Sequence, residues 1–178
     1  MSDTPDSQPS ALTPLDKALA QLLASVSPRC EEEVIALAHS PGRILSEDIV
    51  ATLSVPPMAN SAMDGYALRA SDSGDSERDL PISQRIAAGQ VGRALEAGTV
   101  ARIFTGAPMP AGADAVVMQE NCVLRGEVIG VVKRVSPQEN VRPVGADIEA
   151  GSTVFSRGHR LRPQDVGALA SLGLTELR

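Results

Sequence analysis

Pro56-Pro57-Met58-Ala59-Asn60-Ser61-Ala62-Met63-Asp64-Gly65-Tyr66-Ala67-Leu68-Arg69-Ala70-Ser71-Asp72 is the stretch on which the reading of this chain turns. The two prolines stop any helix and fix an extended entry. Asn60, Ser61, Asp64 and Gly65 then gather donors, acceptors and a permissive backbone within six positions. Met58, Ala62 and Met63 supply apolar anchors, and an anchored polar loop is a common seat of binding groups. Residues 65–69 open a series of short apolar runs that continues at 81–86, 99–104, 115–119 and 128–135, with Gly, Pro, Asp and Ser between them. That spacing predicts a small all-β sandwich or barrel. Arg125-Gly126-Glu127 reads as a hairpin turn.

Upstream the texture differs. Thr13-Pro14-Leu15-Asp16 reads as a helix start, with Thr13 as N-cap. Leu15, Ala18, Leu19, Leu22, Leu23 and Val26 follow on one helical face, which predicts an amphipathic helix over 13–27 ended by Pro28. Residues 33–38 read as a strand. Ser40-Pro41-Gly42 reads as the start of a short helix through Ile49. Downstream, 140–161 holds two further strand candidates around Gly145 and Gly151. Pro163 to Leu172 reads as a helix closed by Gly173. Residues 1–11 are polar and Pro-rich and read as a disordered tail; 71–79 reads as a mobile, Ser-rich loop.

Composition narrows the function. The chain has 178 residues, 43% of them hydrophobic, enough for a core. Its only aromatics are Tyr66, Phe104 and Phe155, which argues against stacking recognition of single-stranded nucleic acid. A net charge of −6 with no basic cluster argues against phosphate-backbone binding and fits a cytoplasmic protein. Cys30 and Cys122 stand apart and read as reduced thiols. No apolar run is long enough to span a membrane.

Chemistry is sparse. His39 and His159 have no ligand partner at metal spacing and read as surface or capping residues. Phosphate-loop, dinucleotide and nucleophile-elbow motifs are absent. Carboxylates, hydroxyls and backbone amides remain, a set suited to a hydrated cation, an oxyanion or a polar cofactor. Asn60-Ser61-x-x-Asp64-Gly65 reads as a turn before a site. Thr105-Gly106, at the end of the run 99–104, reads as a stiff connection or as a second wall. Glu120 reads as an edge charge before a cation ligand, and Asp147 as a turn acceptor before a site residue.

Together these residues resemble the MoeA/gephyrin family, the molybdopterin molybdenumtransferases. The likeness rests on Pro56-Pro57 with Asn60 to Ala67, on Arg102 to Pro108, on Gly112 to Glu120, and on Val141-Arg142-x-x-Gly145-x-Asp147. Gly42-Arg43, Glu47-Asp48 and Ala168 to Gly173 complete it, so it runs from Thr13 to Leu177. The resemblance implies an α+β chain, elongated and in two modules: a β-rich, barrel-like module at 55–140 inserted into a small α+β module made of 12–54 and 141–178. The helix at 12–27 would pack toward a molybdopterin-binding domain that this sequence lacks.

The resemblance also implies insertion of molybdenum from molybdate into adenylylated molybdopterin, with loss of AMP and help from Mg2+. Asp64, Thr105 and Asp147 match the catalytic cleft, with Asp64 and Asp147 placed to order Mg2+ or its waters and Thr105 to donate to an oxyanion. Asn60, Ser61, Gly65 and Gly106 would contact the cofactor. A homodimer and a molybdopterin adenylyltransferase partner are implied as well. Two departures stand out. The family's chains are at least roughly twice this long, so this one is expected to be inactive alone. Arg162 stands where the family often has Thr, a better N-cap. A dimerising or scaffolding fragment, and a stand-alone oxyanion-binding barrel, are the alternatives.

Overall fold

The computed structural model describes residues 12–27, 31–74 and 79–178. The chain divides into two units, 1–33 and 34–178. In the first, helix α1 spans Leu15–Ser25. Thr13 does not cap it. Pro14 stands at the N-cap with ψ 142°, so helical dihedrals begin one residue later than expected and Thr13 falls outside the cap position. None of the α1 residues is buried. The expected stop at Pro28, the tail 1–11 and Cys30 lie outside the described residues.

The second unit is mostly β. Its strands are β1 (Ile35–Ala36), β2 (Ile49–Val50), β3 (Asn60–Ser61), β4 (Gly65–Leu68), β5 (Asp79–Ile86), β6 (Val100–Ile103), β7 (Ala115–Met118), β8 (Cys122–Arg125), β9 (Val128–Val131), β10 (Val141–Arg142), β11 (Thr153–Phe155) and β12 (Glu176–Leu177), with helix α2 at Pro163–Ser171. Six strands form one sheet in the order β7-β4-β6-β5-β9-β8. Only β5 and β6 run parallel. Parallel neighbours need a crossover, and the long connection between them packs Leu95 at 3% exposure.

The middle of the sheet is covered on both faces. Tyr66, Leu68, Val100, Ala115 and Val117 join one apolar cluster. Their strand neighbours Ala67, Ala101, Ile103 and Val116 join another. This is why the sequence shows unbroken apolar runs there instead of clean alternation. In β5 a register shift between Ile82 and Gln84 leaves Ser83 as an extra residue. Ile82 therefore packs with the first cluster and Ile86 with the second, although both are even-numbered. Gly65 permits the closest approach in the sheet: a Cβ there would lie 2.0 Å from the Val117 carbonyl oxygen.

A further cluster joins Leu37, Leu45 and Ile49 to Leu161, Leu169 and Leu177. Antiparallel pairs β1–β12 and β2–β11 tie the same two segments together. The helix expected from Ser40 to Ile49 does not form. Gly42 takes φ 88°, and Gly42 and Leu45 donate instead to the Leu161 and His159 carbonyls. The strand expected at 33–38 is cut to two residues by a 3-10 turn at Leu37–His39. β8 pairs with β9 through the Gly126-Glu127 turn, as the hairpin reading required. The strand candidates at 140–161 are β10 and β11, and Gly145 and Gly151 sit in the turns beside them. Within the loop expected to be mobile Ser73 is buried: its Oγ donates to the Ala70 carbonyl at 2.7 Å and accepts the Val135 amide at 3.1 Å. The stretch 75–78 lies outside the described residues.

Helix α2 starts without a hydroxyl cap. Asp165, at its third position, accepts the Arg162 amide at 2.9 Å and so closes half of a capping box from inside. The same carboxylate takes the Arg162 guanidinium and His159 Nε2, the latter at 2.8 Å. These bonds hold its pKa far below the usual carboxylate range. His159 also stacks on Phe155, with ring centroids 4.6 Å apart, so it is not the lone surface or capping residue its sequence context suggested.

Candidate functional site

The site is built around the two residues of β3. Ser61 donates its amide to the Ala107 carbonyl, and its own carbonyl accepts the Gly106 amide, both at 2.9 Å. On the other side β3 pairs with β10, setting Val141 opposite Ser61 and Arg142 opposite Asn60. Asn140 turns the chain into β10 at φ 55°, a conformation asparagine tolerates, and its Nδ2 donates to the Val116 carbonyl at 2.9 Å. Three loops far apart in sequence thus meet on one short strand.

Ser61 is fully buried and faces inward: its Oγ donates to the Met63 carbonyl at 2.6 Å and accepts the Met63 amide at 3.3 Å. That bends the chain at 62–64 and presents Asp64. Oδ1 of Asp64 receives two bonds from Thr105, from the amide and from Oγ1, each at 2.8 Å. The two donors, chiefly the amide, hold the Asp64 pKa below its ordinary value, with a smaller contribution from the Arg102 charge. Asp64 is exposed and ionised near neutral pH. Its Oδ2 has no hydrogen-bond partner among the described residues. The Thr105 hydroxyl hydrogen is committed to Asp64, so Thr105 can donate to an oxyanion only by exchanging that bond. Gly106 takes φ 81°, which turns the chain sharply behind Thr105.

Asp147 lies on the β10 side. Both of its carboxylate oxygens accept from Arg142 at 2.7 Å, and its amide donates to the Val55 carbonyl at 2.9 Å. No hydrogen bond joins Asp147 to Asp64; they flank β3, linked through Arg142 and Asn60. Asn60 Oδ1 is buried with no hydrogen-bond partner, an unsatisfied acceptor beside the site. Glu120 sits in a 3-10 turn and accepts from Gln119 at 3.1 Å, in keeping with an edge charge. The Cys122 thiol is pushed up to about 11 by burial, which keeps it protonated. Among the described residues no group of three or more His, Cys, Asp or Glu could hold a metal ion.

Sequence reasoning gave no role to three arginines of this region. Arg142 pairs with Asp147, five residues on. Arg102 donates to the Gly65 carbonyl at 3.0 Å and to Gln119 Oε1 at 2.6 Å. Arg85 lies over the Phe104 ring. The strand register sets Arg85 beside Arg102, and the Ser83 bulge that does so leaves no pattern in the sequence.

Comparison with known proteins places this geometry. The family described as MoeA N-terminal region (domain I and II) matches residues 13–173. The molybdopterin molybdenumtransferase 2 of Mycobacterium tuberculosis is 37% identical over 162 residues, covering 88% of this chain and 40% of the relative. The molybdopterin molybdenumtransferase of Haemophilus influenzae is 34% identical over 165 residues, 92% of this chain and 41% of the relative. The crystal structure of the molybdopterin biosynthesis moeA protein from Pyrococcus horikoshii OT3 superposes with a TM-score of 0.84 at 35% identity, over 93% of this chain and 45% of that one. The chain thus spans about 40% of the length of these curated relatives.

Proposed function

This chain belongs to the MoeA family, as its N-terminal region, and on that premise we propose that it is the N-terminal part of a molybdopterin molybdenumtransferase. The whole enzyme would take molybdate and adenylylated molybdopterin as substrates and release AMP. The observation that carries the reading is the Asp64–Thr105 pair, an exposed carboxylate held ionised by two donors from a second loop.

Mg2+ fits this donor set. The ion needs one or two protein carboxylates and keeps its other positions for water and phosphate. Asp64 Oδ2 is available to the ion or to its waters, and Asp147 becomes available when Arg142 releases an oxygen. Bound there, Mg2+ would neutralise phosphate charge as the adenylate leaves. The chain's own groups do the rest. Thr105 keeps Asp64 ionised and oriented. Arg142 balances Asp147. The backbone at Asn60, Ser61, Gly65 and Gly106 sets the wall against which the cofactor lies. This is positioning and charge stabilisation, with bond formation left to the cofactor's sulfurs.

We take 12–54 with 141–178 as one module and 55–140 as an insertion; the separate cluster joining Leu37, Leu45 and Ile49 to Leu161, Leu169 and Leu177 supports that division within 34–178. We also take the enzyme to be a cytoplasmic homodimer supplied by a molybdopterin adenylyltransferase. In the described residues no helix is long and apolar enough to cross a membrane.

The test is reconstitution. The 178-residue chain, and a chimera in which residues 13–173 replace the matching region of the Haemophilus influenzae relative, are each given adenylylated molybdopterin, Mg2+ and molybdate. Cofactor is read by activation of an apo-molybdoenzyme. The chimera is expected to be active and the chain alone inactive. A folded but inactive chimera, or a fully active lone chain, contradicts the proposal.

A further inference from the structure

Two of the chain's three aromatic rings are used to hold arginines. Arg102 lies over Tyr66 at 5.1 Å and over Phe104 at 4.7 Å. Arg85 lies over Phe104 at 4.5 Å. The result is a four-tier ladder of Tyr66, Arg102, Phe104 and Arg85. Both ends of its core are fixed next to the site. Arg102 donates to the carbonyl of Gly65, the residue after Asp64. Phe104 is the residue before Thr105.

The two arginines are not equivalent. Arg102 is consumed by Gly65 and Gln119, so its hydrogen bonds are structural. Arg85 is exposed, and among the described residues neither a carboxylate nor a carbonyl accepts from it. With its central carbon over a ring and no carboxylate or carbonyl acceptor among the described residues, the Arg85 guanidinium has N–H donors to offer to phosphate-like oxyanions. The stack also limits the side chain's freedom, which lowers the cost of ordering it on binding. Arg85 is set beside a second arginine, Arg102, by the strand register.

We propose that Arg85 is an oxyanion-binding residue of the Asp64–Thr105 site, positioned by the Arg102–Phe104 stack. This rests on the functional reading above and extends it to a residue that reading does not use. The ligand is a tetrahedral oxyanion, either a phosphate of the adenylylated substrate or free molybdate. Arg102 acts through Phe104 and is a positioning residue.

The experiment is NMR titration of the 178-residue chain with inorganic pyrophosphate and, separately, with molybdate. The Arg85 Nε–H resonance and the Thr105 and Gly106 amides are followed. Saturable shifts of all three are expected. Arg85→Gln should weaken binding about tenfold, the size expected for one charge-assisted hydrogen bond. Phe104→Leu should weaken it less and leave the rest of the spectrum in place. Arg125→Gln, at an exposed ion pair with Asp79, should bind as the parent does. Saturation by pyrophosphate alone assigns the position to the phosphate, and by molybdate alone to molybdate. Parent-like binding by Arg85→Gln, or no shift at Arg85 with either anion, overturns the proposal. The readout is binding, so its failure leaves the chimera assay to judge the enzyme reading, and failure of the chimera leaves a measured Arg85 contact standing.

Discussion

Asp64 keeps its charge because Thr105 supplies two donors to one oxygen. Thr105→Val removes the hydroxyl and keeps the amide. The Asp64 titration midpoint, followed by carboxyl NMR, should then rise toward the ordinary carboxylate value without reaching it. An unchanged midpoint would show that the hydroxyl bond does not act. Asp165 gives the second prediction at this scale. Its folded pKa is depressed first by Arg162 and then by His159. A depressed carboxylate contributes stability above its unfolded pKa of about 4 and loses it as pH falls through the folded value. Asp165→Asn should therefore melt a few degrees below the parent near pH 6 and converge with it in strong acid. A difference that does not shrink with acidification contradicts the assignment.

At the scale of elements, the β5 bulge decides which side chains reach which face. Leu80 and Ile86 are each 1% exposed, on opposite faces of one strand. Deleting Ser83 removes the extra residue and sets Ile82 and Ile86 three positions apart, so plain alternation still sends them to opposite faces. Burial of a Leu or Ile contributes about 1.5–3 kcal/mol, and both ends of β5 keep theirs, so the urea midpoint should change little; a sharp fall would contradict Ser83 as the extra residue. Gly65→Ala tests the β4–β7 approach. With the added carbon 2.0 Å from a carbonyl oxygen, a loss of about 3 kcal/mol is expected from denaturant melts, and a neutral result would contradict that packing.

Much of the sheet was legible in the sequence for a simple reason. Strands buried on both faces show as apolar runs, and 65–69, 99–104 and 115–119 are such runs. What escaped depends on partners distant in sequence. The helix expected at 40–49 has good local signals at Ser40 and Pro41, yet Gly42 and Leu45 find carbonyls on 159–161 and the segment stays extended. β8 shows no apolar run because its residues are largely exposed, and only the turn after it marks it in the sequence. At the site, Asp64 and Thr105 were named from the sequence. Arg102 and Arg85 gain roles only once strand register sets them beside Tyr66 and Phe104, and Arg142 once its loop folds back on Asp147.

On the scale of the whole molecule, the candidate site is one exposed surface around β3. It offers an ionised carboxylate, a charge-paired carboxylate and a braced arginine, and no nucleophile or histidine pair to make bonds. Such a surface orients a charged substrate and leaves bond-making to it. In the function proposed above, Asp64 is the working carboxylate of molybdenum insertion. The most direct measurement is cofactor formation by the chimera with Asp64 and with Asp64→Asn, at matched fold by circular dichroism. Loss of one stabilising group in a charge-handling site lowers turnover by about 100-fold, and the account predicts a loss of that order with the fold intact. Parent-like turnover by folded Asp64→Asn would contradict it.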